Sequence, residues 1–473
     1  MYVKQIFFNT IWFGIVPKLT IVITVFIMPL ITPFLTATDY GIVGIVSSYA
    51  SIFFSFYTLG LNVHLTNSYY EYKSKFNLVW GRILFLLIIS GLVCSFLLSI
   101  LLFFAMTELS MGSMVLINIL VASPLIFGSN LVLANHLYPL RYDPKNLVLP
   151  ILISNIIGLL VSFVFIRYLK LGYFGLLANS AVSSFLTFIF FLKPLWIKEK
   201  IVPIVEKDFN RIKEMLKISL PVIPHTLGFM LLTSSSRIIM DIYDIPITQI
   251  GYYTNGYSMG EYITVITAAL ITALSPKIQE LYRSNEFKKL RKVYILSQVF
   301  AMIAVFLFAM WMPDIYKFLV RNADLQQCSN IASLICFSNI IFPLYALLST
   351  VAFIEKNTGK LLWLVFIPGI LNIILNLIFI PVYGYKAAIY ASLISYWSLL
   401  LIPLFVKFYS EFLKKIFNSY LVLLVLFLLF VILIVSANFM VSFSFLQKFI
   451  LSIILSTSIA AVIYKYRTMI FDF

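Results

Sequence analysis

The 473-residue sequence predicts an all-α integral membrane protein of about fourteen transmembrane helices, arranged as two six-helix bundles followed by two further helices. Three observations predict this. First, 62% of the residues are hydrophobic and 11% charged, whereas soluble domains carry roughly 25% charged residues. Second, uncharged runs of about 20 residues recur along the whole length, each long enough to cross the hydrocarbon. Segments such as Ile83 to Phe104 are apolar all round, unlike helices on a water-soluble core. Third, the chain echoes itself after about 210 residues. Asp39-Tyr40-Gly41, Tyr49 and Leu59-Gly60 return as Gln249-Ile250-Gly251, Tyr257 and Met259-Gly260, and Leu171-Gly172-Tyr173-Phe174-Gly175 returns as Val382-Tyr383-Gly384-Tyr385-Lys386. Six helices per repeat is an even number, so the second half re-enters with the orientation of the first. Such halves relate by a pseudo-twofold along the membrane normal and enclose a cavity.

The predicted spans follow in order. Helix one covers 9–34, carries Pro17, Pro29 and Pro33, and lacks the short apolar core and small-residue cleavage site of a signal peptide. Helix two, 41–65, opens on the Asp39 passage. Helix three is 80–105. Helix four, 113–138, contains Asn118, Asn130 and Asn135, and helix five, 148–168, contains Asn155. Such amides either line a polar path or join helices. Helix six, 173–195, follows the Leu171 passage. Helices seven to twelve cover 217–240, 250–275, 293–312, 329–354, 361–381 and 387–408, with Pro221, Pro224 and Pro368 able to bend seven and eleven. Helices thirteen and fourteen are 419–440 and 447–464. The domain reading is therefore an N-terminal bundle over 1–195, a basic linker over 196–216, a second bundle over 217–410, and two added helices with a tail over 411–473.

Charge sets the topology. Of 34 Lys and Arg, Lys18 and Arg237 fall away from span ends, six lie in connections or at span ends on one side, and the remaining 26 lie likewise on the side of the N-terminus. The positive-inside rule then puts both termini in the cytoplasm. The net charge of +16 faces anionic headgroups and does not indicate nucleic acid. The linker interleaves Lys198, Lys200, Lys207, Arg211 and Lys213 with Glu199, Glu206, Asp208 and Glu214; it reads as an amphipathic surface segment or an ordinary solvated connector. No connection exceeds roughly 25 residues, too few for a soluble domain. Cys94, Cys328 and Cys336 read as buried hydrophobes, not a disulfide frame. His64, His136 and His225 lack ligand spacing, no nucleotide-binding loop is present, and neither a metal nor a cofactor is expected.

These passages resemble the polysaccharide flippase branch of the multidrug/oligosaccharidyl-lipid/polysaccharide exporter superfamily. The resembling residues are Pro17, Asp39-Tyr40-Gly41, Tyr49, Leu59-Gly60-Leu61 and Tyr70-Glu71, then Ser219-Leu220-Pro221, Pro224, Ser236-Arg237, Gly251-Tyr252-Tyr253, Tyr257, Gly260 and Pro276. Ser236 stands where relatives carry an Asp before the Arg. The resemblance implies a MATE-like fold and a Wzx-type flippase. Such a protein moves an undecaprenyl-pyrophosphate-linked oligosaccharide to the outer leaflet of the bacterial inner membrane, coupled to H+ or Na+, with an O-antigen polymerase and a chain-length regulator as partners. Lipid II flippases and twelve-helix multidrug antiporters share the fold. A membrane enzyme such as a polymerase or ligase would need a sizeable outer loop, which this chain lacks.

Carrying a pyrophosphate-linked sugar through hydrocarbon calls for a shielded cationic cavity, and charges inside spans normally face an interior. Three charges lie away from the connections. Lys18 follows Pro17 and reads as a phosphate contact or a lysine snorkelling to the interface. Arg237, with Asp241 four residues on, reads as a second cationic contact or an anchoring ion pair. Glu261, in helix eight, reads as an H+ or Na+ coupling site, a partner for either cation, or a structural carboxyl. His225, after Pro224, is a weaker candidate for the cavity lining. Tyr257, with Tyr252 and Tyr253, could stack on sugar or serve the interfacial aromatic belt.

Overall fold

A computed structural model describes residues 19–72, 75–220, 223–355, 357–417, 428–436 and 442–465. Among the described residues every regular element is helical. Ten helices are long and apolar enough to cross a membrane, each coinciding with one predicted span, so this is a multi-pass membrane protein. They form two compact units, divided between Met230 and Leu231.

In the first unit, α1 (Leu19–Ile31) runs into a short 3-10 turn, Thr32–Phe34. Thr36 caps α2 (Ala37–Tyr57) with a capping box: its hydroxyl accepts from Asp39 N, while Asp39 Oδ2 accepts from Thr36 N at 2.8 Å. The chain breaks at Thr58–Leu61, where Leu59 and Gly60 have positive φ, and continues as α3 (Asn62–Tyr72). A Cβ on Gly60 would lie 2.1 Å from Ser219 O, so only glycine permits that approach. Then come α4 (Phe76–Ala105), α5 (Met111–Phe127), α6 (Ser129–Leu140), α7 (Pro144–Arg167) and α8 (Tyr173–Leu192). Asp143 caps α7, with Pro144 at the first position, where its missing N–H costs nothing.

The region predicted as a linker is anchored to this unit. After a π-helical turn, Lys193–Lys198, Leu195 and Ile201 are fully buried beside Trp80 and Leu137. Ile204 N donates to Gly81 O at 3.0 Å, Arg82 pairs with Glu206 at 3.0 Å, and Arg141 forks onto Glu199. An amphipathic α9 (Phe209–Ser219) follows, capped by Asp208. The stretch 195–206 is thus held to the unit at Leu195, Ile201 and Ile204, while Ile197, Val202 and Val205 stay exposed.

Helix α10 (Ile223–Ile242) corresponds to predicted helix seven but falls short of the ten in apolarity, because Thr233-Ser234-Ser235-Ser236-Arg237 interrupts it. In the second unit, predicted helix eight is two pieces, α11 (Ile247–Glu261) and α12 (Thr264–Arg283), separated by a turn at Tyr262 and Ile263. After α13 (Phe287–Leu319), predicted helix ten is also interrupted: a 3-10 turn at Asn339–Ile341 separates α14 (Ser329–Ser338) from α15 (Phe342–Ile354). Hydropathy continues through both turns, so they were read as single spans. Next are α16 (Leu361–Tyr383), α17 (Tyr385–Trp397) and α18 (Lys407–Phe417), which buries Tyr409, Phe412, Leu413 and Ile416 along one face. Of predicted helix thirteen only 428–436 is described, as helix. The last helix, α19 (Phe445–Lys465), is held to α13 by an ion pair between buried Lys448 and half-buried Asp314 at 2.6 Å, and by Trp311 Nε1 donating to Ser452 Oγ at 2.9 Å. Lys448 and Asp314 therefore join the charges inside spans, which the sequence reading had limited to three.

The echoed passages occupy matching positions within their own units. Asp39 and Gln249 are each the third residue of their helix, α2 and α11. Gly172 (φ 50°) and Gly384 (φ 61°) each cap the N-terminus of the unit's sixth span. The likeness of Leu59-Gly60 to Met259-Gly260 is one of sequence only, since Gly60 lies in a break with positive φ and Gly260 inside α11.

Candidate functional site

The second unit contains a buried polar cluster, and two glycines one helical turn apart make it possible. Gly256 and Gly260 on α11 face α14: a Cβ on Gly256 would lie 2.6 Å from Ile331 Cβ, and one on Gly260 2.7 Å from Ala332 O. This small-xxx-small spacing lets two backbones approach closely. The approach aligns the two interruptions, so that Glu261, the last residue of α11, faces Asn339, the first residue of the 3-10 turn. Broken membrane helices free backbone groups and concentrate polar atoms at such joints.

Arg237 enters from α10 and is 8% exposed. Its guanidinium carbon lies 4.6 Å from the ring centroid of Tyr257 and 5.4 Å from that of Tyr253. Its Nε donates to Thr254 Oγ1 at 3.2 Å and its Nη1 to Thr233 O at 2.9 Å, while Nη2 makes no hydrogen bond among the described residues. No carboxylate comes within 4.0 Å of it among those residues. A desolvated cation of this kind is held by aromatic faces and dipoles, the former contributing roughly 2 kcal/mol when desolvated, and its positive charge stays available to an anion.

Glu261 lies beside Arg237, Tyr257 and Asn339, within side-chain hydrogen-bonding reach of the last two. Its Oε1, the Tyr257 hydroxyl and both polar atoms of the Asn339 amide are buried together, and Tyr396 approaches the same hydroxyl. Buried polar atoms are almost always satisfied, and here a carboxyl, a phenol and an amide have one another as partners beside a cation. Behind Arg237 a neutral network ties α10 to α16. Ser235 Oγ donates to Asn372 Oδ1 at 2.9 Å, and Asn376 Nδ2 donates to Asn372 Oδ1 at 2.8 Å and to Ser236 Oγ at 3.0 Å. Ser236, the residue in place of the relatives' Asp, thus bonds an amide.

The structure brings together Arg237, Tyr257 and Glu261. His225 lies three turns earlier on α10, edge-on to Phe229 at 5.4 Å. Lys18 lies outside the described residues. Tyr252 turns to Asp324 at 2.8 Å, and Tyr253 meets Ser392 at 3.2 Å. Of the candidate amides, Asn130 joins helices, donating to Phe188 O and accepting from Trp196 Nε1, both at 3.1 Å. The sequence reading missed Asn339, Asn372 and Asn376. Asn372 and Asn376 had a signal, being four residues apart within an apolar span, hence on one helix face.

Comparisons with known proteins agree with this architecture. The family described as "Polysaccharide biosynthesis protein" matches residues 6–282. The uncharacterized membrane protein MJ1375 of Methanocaldococcus jannaschii is 28% identical over 261 residues, and the match spans 52% of this chain and 60% of that protein. Among solved structures, the lipid II flippase MurJ in an inward closed conformation has a TM-score of 0.64 at 15% identity, covering 97% of this chain and 100% of that one. An inward-facing multidrug resistance MATE transporter of the MOP superfamily has a TM-score of 0.55 at 14% identity, covering 91% and 95%. A MOP superfamily transporter from Pyrococcus furiosus, described as having a binding pocket of reverse polarity, has a TM-score of 0.51 at 14% identity, covering 84% and 99%. The MATE-like fold expected from the sequence is therefore present.

Proposed function

The chain belongs to the polysaccharide biosynthesis protein family, and from that membership we propose that it is a flippase for lipid-linked oligosaccharides. The substrate is a pyrophosphate-bearing, undecaprenyl-linked sugar unit, moved from the cytoplasmic to the outer leaflet of the bacterial inner membrane by alternating access. The observation that carries this reading is Arg237: a buried cation in no ion pair among the described residues, backed by the faces of Tyr253 and Tyr257. Such a group recognises phosphate by charge and sugar by stacking. A cationic-drug antiporter would instead present carboxylates to its cargo. Glu261 is the proposed ion-coupling group, because its carboxyl sits at a helix break beside the Asn339 amide and within reach of the arginine's field. Protonation or cation binding there changes the charge Arg237 experiences, and with it the affinity for an anion. Lys18 and His225 remain candidate contacts in this reading.

The test is genetic and chemical. A strain lacking the gene accumulates lipid-linked oligosaccharide on the cytoplasmic leaflet. The wild-type gene restores export; Arg237→Ala, inserted at equal level, does not. Export that proceeds normally in the deletion strain, or accumulation of lipid II instead of an oligosaccharide unit, overturns the substrate assignment.

A further inference from the structure

A second binding feature lies on the surface of the second unit, away from the arginine cluster. Helices α16 and α17 leave between them an apolar groove of about 450 Å3, within the roughly 300–1,000 Å3 typical of small-molecule sites. Its walls include Phe379 and Tyr383 on α16 and Tyr390 on α17, all well exposed, and its floor includes Ala387 and Ala391, one turn apart on α17. Lys386 joins the lining at one end; it is exposed and pairs with no carboxylate among the described residues. The two helices both span the membrane and are joined through the single residue Gly384. Lys386 therefore sits at the end of the spans, at headgroup level, while Ala391 and Ile394 lie one and two turns deeper. Tyr383 and Tyr390 flank it, as aromatics do at the membrane interface.

The internal echo supplies a control. Aligned on the positive-φ glycines Gly172 and Gly384, Lys386 corresponds to Phe174 and Tyr390 to Ala178. The cation and its flanking ring thus belong to the second unit alone and are not demanded by the shared helical hairpin. We propose that this groove is a binding site for an anionic phospholipid of the surrounding bilayer, one acyl chain lying over Ala387 and Ala391 and the phosphate on the Lys386 ammonium. The chemistry is that of a basic residue at the mouth of an interhelical groove, which selects anionic headgroups, and it is independent of the flippase reading.

Native mass spectrometry of the full chain, released from detergent containing equal phosphatidylglycerol and phosphatidylcholine of matched chains, tests it. Wild type retains phosphatidylglycerol over phosphatidylcholine by roughly fivefold, the effect of one lysine at an anionic surface. Lys386→Gln abolishes that preference, and Ala391→Leu, which fills the floor, lowers retention of both lipids. Should Ala391→Leu fail to assemble, Ala387→Val fills the same floor. Lys170→Gln, an exposed lysine before the corresponding turn of the first unit, leaves retention unchanged. An undiminished preference in Lys386→Gln, or displacement of phosphatidylglycerol by an equal concentration of undecaprenyl phosphate, overturns the proposal. Retention is read without transport, so a negative result leaves the flippase reading untouched.

Discussion

Asp39 accepts a hydrogen bond from the backbone N–H of Tyr173 at 2.8 Å, tying the start of α2 to the start of α8. The same carboxylate accepts from Thr36 N at 2.8 Å and from Thr36 Oγ1 at 2.7 Å, so it caps one helix and clasps another. Gln249 holds the matching position in the second unit, but its Oε1 lies 3.9 Å from where a Gly384 Cβ would stand. One sequence echo therefore carries a tight charged clasp in the first unit, while the matching glutamine in the second only lies near its glycine.

This asymmetry predicts different costs for the same substitution. A Cβ on Gly172 would lie 2.2 Å from Asp39 Oδ1 and would also need φ of 50°. Gly172→Ala carries the left-handed penalty plus displacement of a buried charge-assisted bond, about 2–4 kcal/mol. Gly384→Ala carries only the backbone penalty, about 1–2 kcal/mol. Thermal unfolding of the purified variants should show the larger fall in Tm for Gly172→Ala; equal falls would mean that the clasp adds nothing.

Much of this fold is legible in the sequence, because hydropathy and charge asymmetry report long apolar helices directly. The echoed passages at Asp39 and Gly172 are legible as repeats, but not the hydrogen bond from Tyr173 N to Asp39 that joins them. The joints of the second unit are not legible. Tyr262-Ile263 and Asn339-Ile340-Ile341 are apolar enough to read through, and only the packing of α11 against α14 at Gly256 and Gly260 shows why the helices break there. Arg237, Tyr257 and Glu261 stood out as a charge, a ring and a carboxyl in apolar surroundings. Their convergence depends on tertiary contacts that no spacing rule supplies. The sequence singles out nothing at Lys448, and its burial is explained only by Asp314, 134 positions away.

Arg237 gives the sharpest functional prediction. Arg237→Ala removes the cation and its stacking on Tyr257, and transport of the lipid-linked unit should fall by at least about tenfold, the equivalent of one charge-assisted bond. Arg237→Lys keeps charge but loses the planar fork, and should retain partial activity. Charge reversal in Arg237→Glu should be as damaging as alanine or worse. A leaflet-resolved assay in reconstituted vesicles measures all three, and full activity in the alanine variant would remove Arg237 from substrate recognition.

Glu261→Gln is nearly isosteric and leaves the helix break in place, so folding should be little affected. Loss of the titratable group should make transport insensitive to an imposed proton or sodium gradient while downhill exchange persists. Vesicles with and without a gradient provide the measurement. A variant that still responds to the gradient as wild type does would place coupling elsewhere. Asn339→Leu separates a structural role from this one, because it removes the facing amide but keeps the carboxyl, and should shift the ion dependence without abolishing it.

The Lys448–Asp314 pair makes a prediction about stability instead of transport. Lys448 is 2% exposed, Asp314 takes its ammonium at 2.6 Å, and Trp311 stacks nearby with the cation 6.0 Å from its ring. Removing one partner of a buried pair leaves an uncompensated charge and costs about 3–5 kcal/mol, whereas replacing both with apolar residues of similar volume is often neutral. Lys448→Met alone should therefore lower the Tm markedly, and Asp314→Leu alone should do likewise. The double variant should recover most of the loss, a coupling that a double-mutant cycle resolves. If the double variant is as unstable as the sum of the singles, the pair acts through shape and not charge, and α19 is held mainly by Trp311, Ser452 and Phe445.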